Sequence, residues 1–157
     1  MHGVVYTGHT GTFPHRSTSG MQYILLLYHY DVNATLLKTL RNRYDAEMLK
    51  AYDDLYDYLD SRGLSPYLKI LDNGSSTAVK ILLLKCNTKF QLVKPHNHCV
   101  NAAECAIRTF KNHFIDGLSI MDPNFPIRKW DQLIEQAQLT MNLLCTSPLN
   151  RRLSAKA

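Results

Sequence analysis

Two carboxylates, and the cations that follow the second, carry the chemistry this chain offers. Asp72 closes an apolar run, Tyr67-Leu68-Lys69-Ile70-Leu71, and opens an Asp72-Asn73-Gly74 turn. Glu104 follows with 31 residues between, and the next two turns of its strongly helical stretch carry Arg108 and Lys111. A strand-end aspartate and a helix-borne glutamate are oxygen ligands suited to a divalent ion such as magnesium, which takes a few carboxylates together with water and phosphate. Cutting or joining a phosphodiester at neutral pH needs an activated oxygen nucleophile and neutralised phosphoryl charge, and two ions about 4 Å apart supply both. Such a site expects a third carboxylate near residue 8, where this chain has glycine.

Each part also has an ordinary reading. Asp-Asn-Gly is a common turn. Asn101-Ala102-Ala103-Glu104 has the form of a helix cap with a glutamate at its third position. Arg108 and Lys111 can be a solvated helix face. Their joint occurrence, in this order and on these elements, favours the site. Ala103, Ile107, Phe110, Phe114 and Leu118 share one helical stripe and are expected to be buried, which leaves Glu104, Arg108 and Lys111 on a neighbouring row. Cations one and two turns after a metal-binding glutamate are placed to meet a DNA backbone, and His113, Arg128 and Lys129 extend that surface. His96-Asn97-His98-Cys99 makes a poor zinc site, since no second ligand pair stands at finger spacing. His96 and His98 are read instead as nucleic-acid contacts on a loop beside the site.

The elements that must position these groups follow from periodicity. Gly3–Thr7, Tyr23–Tyr30 and Ala34–Leu40 read as strands, the last two joined by an Asp31-Val32-Asn33 turn. Asp45–Asp60 reads as an amphipathic helix with Tyr44, Met48, Leu55 and Leu59 inward and acids outward. Gly63 ends it. Pro66 opens a strand running to Asp72, Ser75 or Ser76 caps a short helix through Leu84, and Val79, Leu82 and Leu83 form its inward side. Lys89–Val93 is a short strand, Asn101–Leu118 a long helix and Pro126–Cys145 another. The order β-β-β-α-β-α-β-α-α implies an α/β fold, a mixed five-stranded sheet with helices on both faces. The C-terminal end of the first strand and that of the Asp72 strand become neighbours.

At 157 residues, 45% hydrophobic and 20% charged, the chain is sized for one folded domain, residues 1–157. No apolar run near the start spans a bilayer and no cationic leader opens the chain, so an intracellular protein without membrane contact is expected. The four cysteines lack CxxC spacing and read as reduced thiols. Net charge is +5, but residues 45–60 hold a local −5, leaving +10 on the remainder. That division suggests one surface for a polyanion and another facing away.

These residues together resemble the integrase catalytic core of long-terminal-repeat retrotransposons and retroviruses, in the ribonuclease H-like superfamily. The resemblance runs from about Val4 to Ala155. It rests on Thr10-Gly11-Thr12-Phe13-Pro14, the Tyr23–Tyr30 strand, Leu71-Asp72-Asn73-Gly74, and Asn101-Ala102-Ala103-Glu104 with Ala106-Ile107-Arg108-Thr109-Phe110-Lys111. It implies a triad of two aspartates and a glutamate holding Mg2+ or Mn2+, with Asp72 and Glu104 as its second and third members and as metal ligands. It implies donor DNA ends and target DNA as partners, joined by in-line attack of a 3′ hydroxyl, with no small-molecule substrate. Arg108 and Lys111 stand where similar integrases contact donor DNA. A homo-oligomer and a nuclear location are further expectations of the resemblance.

The departures from the pattern are specific. Where the family has Asp-x-Thr-Gly-x-Phe-Pro, this chain has Gly8-His9-Thr10-Gly11-Thr12-Phe13-Pro14, so the first triad aspartate is vacated at Gly8. His9 is expected to point to the opposite face, and Asp31 to lie too far away to substitute. Cys105 stands where arginine commonly follows the glutamate, and Ala102 replaces a frequent glycine. The zinc-binding N-terminal and basic C-terminal domains of integrases are not in the sequence, which reads as a fragment or decayed copy. The expectation is impaired strand transfer; the alternative is a non-catalytic nucleic-acid-binding or assembly remnant on the same fold.

Overall fold

Aliphatic residues alternate between two covered faces along each central strand. The computed structural model describes residues 3–71, 76–92, 102–146, 152, 154 and 155. Strands β1 (Val4–His9), β2 (Tyr23–His29), β3 (Ala34–Leu40), β4 (Leu68–Leu71) and β5 (Lys89–Leu92) form one sheet in the order β3-β2-β1-β4-β5. β3, β2 and β1 pair antiparallel, while β1, β4 and β5 pair parallel. This is the mixed sheet that the element order implies. β1 runs to His9, two residues beyond its sequence reading, because Gly8 and His9 still pair with Leu26 and Leu25.

Helices α1 (Asp45–Ser61) and α2 (Thr77–Lys85) cover one face, and α3 (Ala102–Ser119) and α4 (Ile134–Leu144) the other. Val5, Leu25, Leu27 and Leu36 join Leu55 and Leu59 of α1 and Leu83 of α2 in the first core. Ile24, Leu26 and Leu37 join Phe110, Phe114, Trp130 and Met141 in the second. Each such fully buried side chain contributes about 1.5–3 kcal/mol relative to exposure. The acidic helix α1 and the helix α3 that bears Arg108 and Lys111 therefore stand on opposite sides of the sheet.

Three local readings change. Tyr44 is 77% exposed rather than inward, because it is the extended cap residue of α1, where helical periodicity has not begun; Ala51, Tyr52 and Tyr56 bury instead. The strand opening at Pro66 starts at Leu68, since Tyr67 and Leu68 both donate backbone N–H to Gly3 O ahead of the β1 ladder. The Pro126–Cys145 helix begins as a 3-10 helix, Ile127–Leu133, broken from helical geometry at Lys129 (φ −98°, ψ 15°). Trp130 anchors this segment: its indole N–H donates to His15 O at 2.8 Å and its ring is 1% exposed.

Ser76 is the residue that caps α2, its hydroxyl accepting from Val79 N. Gly63 closes α1 at φ +68°, a left-handed conformation that glycine adopts without steric cost. The outer strand β3 is held by α4: Thr35 N donates to Asn142 Oδ1 at 2.8 Å, Asn142 Nδ2 returns a bond to Thr35 O at 2.8 Å, and Leu37 N donates to Gln138 Oε1 at 2.6 Å.

Candidate functional site

β1 brings Gly8 under helix α3. Its neighbours Thr7 and His9 turn to the other side, where Thr7 Oγ1 accepts from the Tyr52 hydroxyl at 3.2 Å and His9 Nε2 lies 3.3 Å from Arg43 Nη1. A Cβ built on Gly8 would lie 2.7 Å from Ile107 Cδ1 and 3.6 Å from Ala103 Cβ. The first site position thus faces the helix that bears Glu104, as the strand alternation requires. Asp31 sits at the opposite end of β1, its Oδ2 accepting from Val4 N at 2.9 Å. Neither His9 nor Asp31 stands where the expected carboxylate would face α3.

The α3 stripe is buried at Ala103 (0%), Phe110 (0%) and Phe114 (4%), with Ile107 and Leu118 partly covered. This fixes the helix's roll and leaves Glu104 and Arg108 exposed and Lys111 half-buried. Arg108 and Lys111 pair with no carboxylate among the described residues. His113 is half-buried, while Arg128 and Lys129 are exposed on the 3-10 helix. The Thr10–Pro14 segment is tied to β2 by Thr10 N to Ile24 O (2.9 Å), Ile24 N to Thr10 Oγ1 (3.1 Å) and Phe13 N to Gln22 O (2.9 Å).

Asp72, His96 and His98 lie outside the described residues, as do Asn73, Gly74, Ser75, Val93 and Asn101. The β1–β4 register is described through Tyr6↔Ile70. Among the described residues no three His, Cys, Asp or Glu side chains converge. The described groups do not make up a two-metal centre: Gly8, the expected first position, offers no donor, and the Ile107 methyl would have to move for a side chain there.

One group escaped the sequence reading. Lys69, central in β4, is 0% exposed with its amine 3.4 Å from the Tyr52 ring centroid and without a hydrogen-bond partner. Burial holds its pKa well below the ordinary lysine value, against a weaker upward pull from Cys86. Its only sequence signal was its place inside the Tyr67–Leu71 apolar run.

No protein-family model matches the chain, and no curated protein sequence matches it. Solved structures do. A chain of the cryo-EM structure of the simian T-cell lymphotropic virus intasome in complex with PP2A regulatory subunit B56 gamma superposes with a TM-score of 0.76 at 14% identity. The match covers 98% of this chain and 52% of that one, so this chain spans about half its length. The HTLV-2 integrase catalytic core domain, in complex with magnesium in a trimeric form, superposes with a TM-score of 0.71 at 15% identity, covering 98% and 93% of the two chains. The fold is that of a retroviral integrase catalytic core. Within this integrase-core fold, the cationic row of α3 and the Gly8 position share one face of the sheet, and acidic α1 occupies the other.

Proposed function

We propose that this chain is a retroelement integrase core that keeps a DNA-binding face and has lost most of its strand-transfer chemistry at Gly8. The observation carrying this reading is the crowded glycine: at the position from which the first carboxylate would face α3, Ile107 Cδ1 stands 2.7 Å from the place of a Cβ. Asp72 and Glu104 are the carboxylates proposed to remain of a Mg2+- or Mn2+-binding set. They leave the set one donor short of a triad. Arg108 and Lys111, aided by His96 and His98, are the proposed contacts to donor DNA, and a homo-oligomer is the proposed assembly. What supports the DNA partner is that a polyanion approaching α3 meets Arg108 and Lys111 and does not meet the acids of α1.

The test is magnesium-dependent strand transfer with end-matched oligonucleotides, comparing the unmodified chain, Gly8→Asp and Gly8→Asp/Ile107→Ala. The unmodified chain should sit at background. The double variant should gain at least about 10²-fold, the scale of a lost electrostatic group at a reacting phosphate. Robust transfer by the unmodified chain would overturn the impairment. Salt-dependent DNA binding with no transfer in either variant would instead identify a binding or assembly remnant.

A further inference from the structure

The Thr10–His15 segment, α3 and the 3-10 helix enclose an apolar pocket of about 310 Å³ on the edge of the proposed DNA face. Its walls are Phe13, Phe110, Phe114, Ile115 and Trp130, with Lys111 among the lining residues. The aromatic walls brace one another. Phe13 stacks on Trp130 at 4.2 Å between ring centroids and meets Phe114 edge-on at 6.0 Å, while Phe114 stacks on Phe110 at 5.4 Å. No lining residue is acidic, and besides Lys111 the only other titratable one is His15.

We infer that this pocket is a ligand site for a small amphiphilic anion, an aryl or branched aliphatic carboxylate whose apolar body lies among these rings and whose acid meets Lys111. Size sets the body. A dry cavity of roughly 150 Å³ accepts a benzene, so about twice that volume takes a substituted ring or a short branched chain. Charge sets the head. Lys111 is half-buried, lines the pocket and pairs with no carboxylate among the described residues, so its flexible side chain is the one that can bring an ammonium to an occupant's head. A carboxylate returns a charge-assisted hydrogen bond. Because Lys111 also belongs to the proposed DNA face, such an anion and a DNA phosphate compete for one cation.

Trp130 is the chain's single tryptophan and lines the pocket, so its emission reports the site alone. The experiment titrates para-bromophenylpropionate, a heavy-atom quencher, and its uncharged primary amide into the full chain. The acid should quench saturably and bind about tenfold or more tighter than the amide, the worth of a hydrogen bond to a charged group. Lys111→Gln should erase that preference. Ile115→Phe, at a 58% exposed position, should abolish saturable quenching with an unchanged far-ultraviolet dichroism spectrum. Linear quenching without saturation overturns the site. Equal affinity for acid and amide overturns the anion. A Trp130 blue shift with protein concentration, before any ligand is added, overturns both in favour of a second copy filling the pocket. If Ile115→Phe does not fold, the acid–amide comparison in the unmodified chain and in Lys111→Gln decides alone.

Discussion

Gly8 and Ile107 claim the same space: a methyl group added to the glycine would stand 2.7 Å from the isoleucine Cδ1. That atom ends a flexible side chain, so a substitution at Gly8 is accommodated only by moving it. Gly8→Ala should cost about 1 kcal/mol, the low end of the overpacking range, because the end of a flexible side chain gives way. Combined with Ile107→Val, the penalty should shrink by coupling between touching residues. Urea unfolding of the four species measures this; strictly additive effects would show that the two side chains do not compete.

Lys69 is a buried cost rather than an asset. Its pKa is lowered from 10.5 by burial, so below 10.5 the unfolded chain binds a proton that the folded chain refuses. Its contribution therefore improves as pH rises toward 10.5 and worsens as pH falls. Lys69→Met should stabilise the fold at neutral pH by about 1–3 kcal/mol and flatten the alkaline rise in stability. A destabilised Lys69→Met would mean that the amine has work to do where it lies.

His29 acts in the same direction at lower pH. Burial lowers its pKa from 6.5, partly opposed by nearby Asp31. The folded state resists protonation, so its full contribution is present above 6.5 and is lost as pH falls through the window between 6.5 and the lower folded value. His29→Leu should remove that acid sensitivity. Urea midpoints with the same slope below pH 6.5 in both proteins would reject the assignment.

For the proposed DNA face, neutralising both cations should show most clearly in salt dependence. Arg108→Gln/Lys111→Gln should reduce the slope of log K against log salt by about 2, close to one per lost phosphate contact. Fluorescence anisotropy on a labelled duplex across a salt series gives the slope. An unchanged slope places the DNA elsewhere.

The architecture was legible where a pattern is local. Ala34–Leu40 is a strand with the boundaries its residues imply, and the parallel partner of β1 is the run that leads into Asp72. The glycine at the expected first position could be read from the sequence alone. What filled it could not, since Ile107 reaches Gly8 across 99 residues through the docking of α3 on the sheet. Trp130 likewise looked like one more turn of a long helix, and its anchor at His15 is a contact 115 residues away. Lys69 carried no mark of burial beyond its place in an apolar run, because whether a strand residue meets water depends on the helix laid over it, here α1 through Tyr52. The Asp72 end of the site and the His96–His98 contacts remain expectations, as those residues lie outside the described ones.

The amides of Asn142 and Gln138 occupy hydrogen-bonding groups on the outer margin of β3. An incoming strand would have to displace them before it could zip onto that border. Copies of this chain therefore cannot polymerise cheaply through that side.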